Sequence, residues 1–240
     1  MERWDTLWSG GWTFCFGDGA FKPSTDSFLL GSFPALRRGW RVCDLGSGTG
    51  LLGLLLLARE PSLTVTGLER DAAACALARR TAEANGLEGR LITRQCDLRE
   101  RAQLPPAGSF DLAVSNPPYF PTGGGKAAAG ARGQARAALT GTLAPLCAAA
   151  AYLLRSGGQL CLVYRTERLA ELMETLRRFR LEPKCLRFVQ KNAASAPSLL
   201  LLSCRKDGGA GLTVQPPLLL QHPDGTETAE LRRIYFKEKG

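Results

Sequence analysis

The stretch that most constrains this chain runs from Trp40 to Ala58. An apolar run ending at Leu45 breaks into Gly46-Ser47-Gly48-Thr49-Gly50, and a second apolar run, Leu51 to Ala58, follows with no polar residue. A short apolar run closed by glycines reads as a buried strand, and the longer one as a helix packed on a sheet. Strand, glycine turn and helix make the front of a nucleotide-binding βα unit. Glycines let backbone N–H groups approach a ligand where a Cβ would clash. The spacing Gly48-x-Gly50-x-x-Gly53 also satisfies a dinucleotide fingerprint. Asp44, two residues before the first glycine, argues for another ligand. A carboxylate there repels a pyrophosphate but suits a molecule carrying an ammonium and a sulfonium. S-adenosylmethionine is such a molecule, and NAD is the alternative this segment leaves open.

Length allows one well-cored α/β domain with a short appendage, at 240 residues. No apolar run reaches the ~20 residues of a membrane span. Residues 1–11 mix tryptophan with charge and lack a basic region followed by an apolar one, so a cytoplasmic protein without membrane contact is expected. The eight cysteines include no C-x-x-C pair, and the one histidine, His222, lies in a Gln-His-Pro-Asp-Gly turn. That pattern disfavours a disulfide framework, a metal site and Ser/His or Cys/His hydrolysis. The net charge of +9 lies wholly in residues 121–240, since the first 120 hold 13 basic and 13 acidic residues. The basic half is either a solvated surface or a face that binds a polyanion.

The aromatic-rich first 40 residues read as a strand pair or cap over one end of the sheet, with the tryptophans in core packing. Thr25 or Asp26 reads as the N-cap of a helix running into Phe28-Leu29-Leu30, and the acid there can close over a ligand pocket. Leu63 to Leu68 reads as a second parallel strand tipped by Glu69, which is placed to accept ribose hydroxyls. Asp71 to Asn85 reads as a helix closed by Asn85-Gly86. A third strand, Leu91 to Gln95, leads to Cys96-Asp97-Leu98, where Asp97 would reach an adenine amino group. Phe110 to Ser115 reads as a fourth strand that runs straight into Asn116-Pro117-Pro118-Tyr119. Two prolines after a strand fix a rigid bend, aim the Asn116 and Pro117 carbonyls at a substrate, and put a stacking ring next to them. Residues 120–133 are rich in Gly and Ala, with Lys126 and Arg132, and read as a lid. A helix (134–154), a strand (159–164), a helix (167–179) and two strands (185–190 and 199–204) complete the pattern. The short link 192–198 predicts an antiparallel hairpin for the last pair.

With these residues in view, the chain resembles the class I methyltransferases. More narrowly, it is similar to the bacterial tRNA1(Val) (adenine-37-N6)-methyltransferase family. Asp44-x-Gly46-x-Gly48 and Asn116-Pro117-Pro118-Tyr119 are shared with many amino-methylating enzymes. The narrower likeness rests on Glu2-Arg3-x-Asp5-x-Leu7, Thr25-Asp26, Leu162 to Leu169, Pro216-Pro217-Leu218, Asp224-Gly225 and Ile234-Tyr235. The resemblance implies a Rossmann-like α/β fold with a seven-stranded, mostly parallel sheet, a C-terminal antiparallel hairpin and helices on both faces. The domain would span 1–240, as a cap (1–40), a core (41–206) and a tail (207–240).

It further implies S-adenosylmethionine as cofactor, held by Thr25, Asp26, Asp44, Gly46, Ser47, Gly48, Gly50, Glu69, Asp97, Leu98 and Asn116. Catalysis would fall to Asn116, Pro117, Pro118 and Tyr119. The RNA would meet Lys126, Arg132, Arg136, Arg165 and Arg168. The implied substrate is an anticodon-loop adenine of a valine tRNA. Alternatives are a release-factor glutamine amide, guanine N2 of ribosomal RNA, or a non-catalytic RNA-binding role. The chain departs from the family at Ala137 and Ala138, where His-Glu is usual, and at Tyr164, where His is usual. Those departures bear on RNA docking and not on the cofactor.

Overall fold

The computed structural model describes residues 2–17, 24–117 and 143–237. Chain order begins with a hairpin, β1 (Glu2–Thr6) and β2 (Thr13–Gly17), then α1 (Thr25–Ser32). Alternation follows: β3 (Arg41–Leu45), α2 (Leu51–Arg59), β4 (Thr64–Glu69), α3 (Ala72–Ala84), β5 (Leu91–Gln95) and β6 (Phe110–Ser115). A helix over 143–153, α4, leads into β7 (Leu154–Arg165) and α5 (Leu169–Arg178). The chain ends with β8 (Leu181–Gln190), β9 (Leu199–Lys206), β10 (Thr213–Leu219) and α6 (Ala229–Ile234).

The main sheet has the order β10-β8-β9-β7-β6-β3-β4-β5. Strands β7, β6, β3, β4 and β5 pair in parallel, while β9 runs antiparallel to both β7 and β8. The expected hairpin is therefore present, but among the described residues the sheet has eight strands and not seven. The added strand, β10, pairs in parallel with β8 at the edge. Its Pro216-Pro217 pair hides it in the sequence, because proline reads as a turn. An edge position resolves the conflict: a proline there withholds an N–H that would otherwise face solvent. The register shift between Gln215 and Leu218 absorbs the two prolines.

Period-two burial sends alternate residues to two cores. Val42, Val65, Leu112 and Val114 pack with α1, α2 and α6 on one face. Cys43, Leu45, Ala113, Leu160 and Leu162 pack with α4 and α5 on the other. Helix α2 is buried along nearly its whole length from Leu51 to Leu57, which accounts for its lack of a polar face. Ser24, not Thr25 or Asp26, caps α1, and its Oγ accepts from the Ser27 N–H at 3.4 Å. Asp71 caps α3, whose far end is a glycine motif: Gly86 at φ +63° with the Leu87 N–H on the Ala82 carbonyl. All eight cysteines are free thiols. Among the described residues, no helix is long and apolar enough to cross a membrane.

The N-terminal hairpin is a true strand pair and docks on α3 and its C-cap through Asn85, Thr81 and an Arg80–Glu2 ion pair. Asn85 accepts from the Thr13 N–H at 2.9 Å and donates to the Thr13 carbonyl at 2.7 Å. The buried Thr81 Oγ1 accepts from the Cys15 N–H at 3.0 Å. Trp8 and Trp12 pack partly buried against the core, as expected, but Trp4 is among the exposed large apolar residues. Because Thr81→Val keeps the shape and removes the acceptor, it strands a buried N–H. We expect a loss of about 1–3 kcal/mol in urea unfolding, largely avoided in Thr81→Ser. An unchanged midpoint for Thr81→Val would show that the hydrogen bond to the Cys15 N–H does not contribute to docking the hairpin.

Candidate active site

Parallel pairing puts the C-terminal tips of β6, β3, β4 and β5 side by side, and Asp44, Glu69 and Asp97 lie on that rim. Asp44 stands opposite Val114 of β6 and Gly67 of β4, Glu69 opposite Gln95 of β5, and Asn116 directly follows β6. The buried Ser115 hydroxyl donates to the Leu45 carbonyl at 2.7 Å, locking the two central tips together. A ligand laid across such a rim lies in the crevice outside the carboxyl ends of the strands, where open α/β sheets bind their ligands.

The glycine turn is held against β4. Gly46 and Ser47 both donate backbone N–H groups to the Leu68 carbonyl, at 2.9 and 3.2 Å. Gly48 donates to Glu69 Oε2 at 2.9 Å, while Glu69 Oε1 accepts from the Asp71 N–H at 2.8 Å. Gly46, Gly48 and Gly50 have φ of +74°, +52° and +80°, a region that L side chains disfavour. Gly67 is required for a different reason. A Cβ there would lie 2.5 Å from Ser47 Oγ, so the turn can nest on β4 only over a bare backbone. Helix α2 then starts at Gly50 with no side-chain cap, leaving its N-terminal dipole facing the rim.

Two buried oxygens at this turn, Asp44 Oδ2 and Ser47 Oγ, have no hydrogen-bond partner. Buried polar atoms are normally paired, so two orphans three residues apart in the chain mark a place for a ligand that brings donors. Asp44 is 2% exposed, and burial, reinforced by the nearby Glu69 charge, pushes its carboxyl up to about 8. An ammonium arriving beside it would restore the ionised form. The donor set therefore fits S-adenosylmethionine: Asp44 for a cationic end, the turn and the start of α2 for backbone approach, and Glu69 for ribose hydroxyls.

Other predicted residues fall into three groups. Asn116, half-buried, donates from Nδ2 to Ser27 Oγ at 3.1 Å and Ser24 Oγ at 3.4 Å, so the start of α1 meets the tip of β6. Thr25 and Asp26 lie on that same first turn, and Thr25 Oγ1 accepts from the Tyr235 hydroxyl at 2.9 Å. Tyr235 also stacks on Phe28, with ring centroids 4.6 Å apart. This C-terminal anchor was not foreseen; Ile234-Tyr235 entered the sequence reading only as part of a family likeness.

Asp97 follows β5 on the rim but is engaged by Arg99, with Arg99 Nη2 2.5 Å from Oδ2 and Nε 2.9 Å from Oδ1. Those hydrogen bonds hold its carboxyl down at about 2. Leu98 packs partly buried against the second core. Arg168 turns inward, in a two-pronged pair with Glu171 at 2.5 and 2.8 Å, over the buried Tyr164 ring. Arg165 ends β7 opposite Leu199. Pro117 is buried next to Asn116. Pro118, Tyr119, Lys126, Arg132, Arg136, Ala137 and Ala138 lie outside the described residues.

A cavity of about 320 Å3 lies elsewhere, between α1, α2, α6 and the β8–β10 edge, lined by Phe28, Leu55, Arg59, Arg187 and Arg233 among others. No glycine-turn residue lines it. Its Glu230 is held by Arg187 at 2.6 and 2.9 Å, and Arg59 by the Gly31 and Pro34 carbonyls. The Arg59 contacts brace α1.

Fold, orphaned oxygens and strand-tip acids together define an S-adenosylmethionine-dependent methyltransferase. Residues 15–182 match the family model of the methyltransferase small domain. A tRNA1(Val) (adenine(37)-N6)-methyltransferase of Dickeya chrysanthemi is 33% identical over 214 residues, 87% of this chain and 84% of that one. The same-named protein of Cronobacter sakazakii is 37% identical over 145 residues, 60% of this chain and 58% of that one. Among solved structures, a predicted O-methyltransferase from Agrobacterium tumefaciens superposes with a TM-score of 0.74. It shares 23% identity and covers 88% of this chain and 96% of its own, a likeness of fold. The chain belongs to the methyltransferase small domain family and groups there with the bacterial tRNA1(Val) (adenine-37-N6)-methyltransferases.

The buried carboxyl makes a signed prediction. Without cofactor, folded Asp44 keeps until about pH 8 a proton that the unfolded chain loses near 3.8, so its contribution lowers stability as pH rises between those values. Asp44→Asn should remove that slope and raise the melting temperature of the cofactor-free protein at pH 8, while weakening S-adenosylmethionine binding by at least ~10-fold. Wild-type affinity should climb with pH up to about 8, because binding expels the proton. Thermal melts and calorimetric titrations across pH would check both. A pH-independent affinity would refute the ionised Asp44 contact.

Proposed function

We propose that the chain methylates the exocyclic N6 of adenine 37 in the anticodon loop of a valine tRNA, as one methyltransferase domain acting in the cytoplasm. The observation that carries this reading is Asn116-Pro117 at the tip of β6, one strand from Asp44 and tied to the start of α1. The names of the relatives support the substrate.

S-adenosylmethionine supplies an electrophilic methyl group on a sulfonium, so no metal is called on. The remaining task belongs to the chain. An adenine amino nitrogen is a poor nucleophile because its lone pair is delocalised into the ring. The Asn116 Oδ1 and the Pro117 carbonyl accept its two N–H bonds, drawing it towards tetrahedral geometry and releasing the lone pair. Two acceptors aimed in advance at the place where positive charge develops are the usual source of such acceleration. Pro117 and Pro118 stiffen the bend, and Tyr119 stacks on the base, a contact worth ~1–3 kcal/mol. The target base must be unstacked to reach the rim, which suits a loop. Thr25, Asp26, Asp97 and Leu98 frame the cofactor together with Asp44, Gly46, Ser47, Gly48, Gly50 and Glu69. Lys126, Arg132, Arg136 and Arg165 meet the RNA backbone, whereas the Arg168 charge is spent on Glu171.

The test is transfer of labelled methyl groups to total bacterial tRNA, followed by nucleoside mass spectrometry. N6-methyladenosine in valine tRNA is expected, and Asn116→Ala should abolish turnover with cofactor affinity nearly unchanged. Label in a release factor or in ribosomal RNA, with none in tRNA, would overturn the substrate. Parallel loss of turnover and cofactor affinity in Asn116→Ala would overturn the role of Asn116.

A further inference from the structure

The start of α1 does more than cap itself. Ser24 is the N-cap and Ser27 the third residue of the helix, and their hydroxyl oxygens lie 3.4 Å apart. The Ser27 backbone N–H donates to Ser24 Oγ, and Asn116 Nδ2 donates to Ser27 Oγ at 3.1 Å, its shorter bond, and to Ser24 Oγ at 3.4 Å. A backbone N–H and an amide nitrogen can only donate. Ser24 Oγ therefore accepts twice, from the Ser27 N–H and from Asn116 Nδ2, while Ser27 Oγ accepts the shorter Asn116 bond and lies within reach of the Ser24 hydroxyl hydrogen. Both serine oxygens thus meet the Asn116 amide as acceptors.

That direction matters for an asparagine. Its amide has two nearly isosteric orientations, and only one offers an oxygen to a substrate N–H. The flipped amide would present N–H donors to an amine that is itself donating, and would set Oδ1 against serine oxygens that meet the amide as acceptors unless a hydroxyl hydrogen turned towards it. We infer that Ser27 is a positioning residue, whose hydroxyl sets the orientation of the Asn116 amide so that Oδ1 is the atom presented to the acceptor nitrogen. Ser27 would touch neither cofactor nor substrate. The inference rests on the proposed role of Asn116 and adds the residue that makes the role geometrically definite.

Two measurements on the full chain test it. In the first, kcat and the KM values for tRNA and S-adenosylmethionine are compared for wild type, Ser27→Ala and Ser27→Thr. Ser27→Ala should lower kcat roughly ten- to a hundredfold, with the cofactor KM and melting temperature near wild type. Ser27→Thr, which restores a hydroxyl, should recover most of the rate. The second needs no acceptor. In 15N–1H spectra, the Asn116 side-chain amide pair, identified by its loss in Asn116→Ala, should shift and exchange faster with water in Ser27→Ala.

An unmoved amide signal, or an unchanged kcat in a protein active on tRNA, would overturn the inference. So would an equal fall in kcat, cofactor affinity and melting temperature, which would reduce Ser27 to helix capping. A wild-type protein silent on tRNA would instead sink the substrate reading, and the amide spectrum would still decide the role of Ser27.

Discussion

Everything in this site depends on how closely the backbone after β3 lies against the tip of β4. Three consecutive N–H groups, from Gly46, Ser47 and Gly48, are donated to the Leu68 carbonyl and the Glu69 carboxylate. This contact turns the chain sharply enough to start α2 at Gly50 and leaves the Asp44 side chain behind the turn, out of water. With the Asp71 N–H on the other oxygen, each Glu69 oxygen is engaged by one backbone N–H, so the carboxylate is held in one orientation. The cost is carried by two oxygens, Asp44 Oδ2 and Ser47 Oγ, buried without partners. A site that holds unsatisfied polar atoms in the free protein has a built-in preference for a ligand that satisfies them.

A second constraint reaches the site from the far end of the chain. Helix α6 brings Tyr235 onto Thr25 and Phe28, so the first turn of α1 is gripped from outside while Asn116 grips it from inside. Strand β10 makes that reach possible by returning the chain along β8 before α6 begins. Helix α6 and Tyr235 thus hold the helix whose serines meet the asparagine. The Arg59 guanidinium, on the Gly31 and Pro34 carbonyls, steadies the other end of the same helix.

Sequence patterns made the central layer legible. The glycine turn, the β-branched run before Glu69 and the strand before Asn116 each have a local cause, and β5 and β6 match their expected spans. The cap of α1 fell one residue earlier than expected, because Ser24, Thr25 and Asp26 are all competent caps and only the approach direction of the chain chooses among them. β10 was missed because a proline pair argues against a strand unless the strand is known to be at an edge, and edge position is a property of the whole sheet. Sequence likeness set Arg168 among the residues expected to meet RNA, in a basic half of the chain. Its Glu171 partner, three residues on, lies on the same helical side and takes up the charge.

By itself the sequence determined the class of ligand and the kind of chemistry, since both follow from residue types at fixed spacing: an acid before a glycine turn, an acid at the next strand tip, and an asparagine before two prolines. Tertiary structure alone decided which of those groups face one another and in what state. Parallel pairing of β6, β3, β4 and β5 set the acids on one rim, and burial raised the Asp44 carboxyl. The meeting of α1 with β6, between residues 89 and 92 positions apart, joined Asn116 to the two serines. Spacing along a chain can specify a turn or a helix face, because those are local. Contacts between distant residues depend on the whole sheet having formed, and no local pattern encodes them.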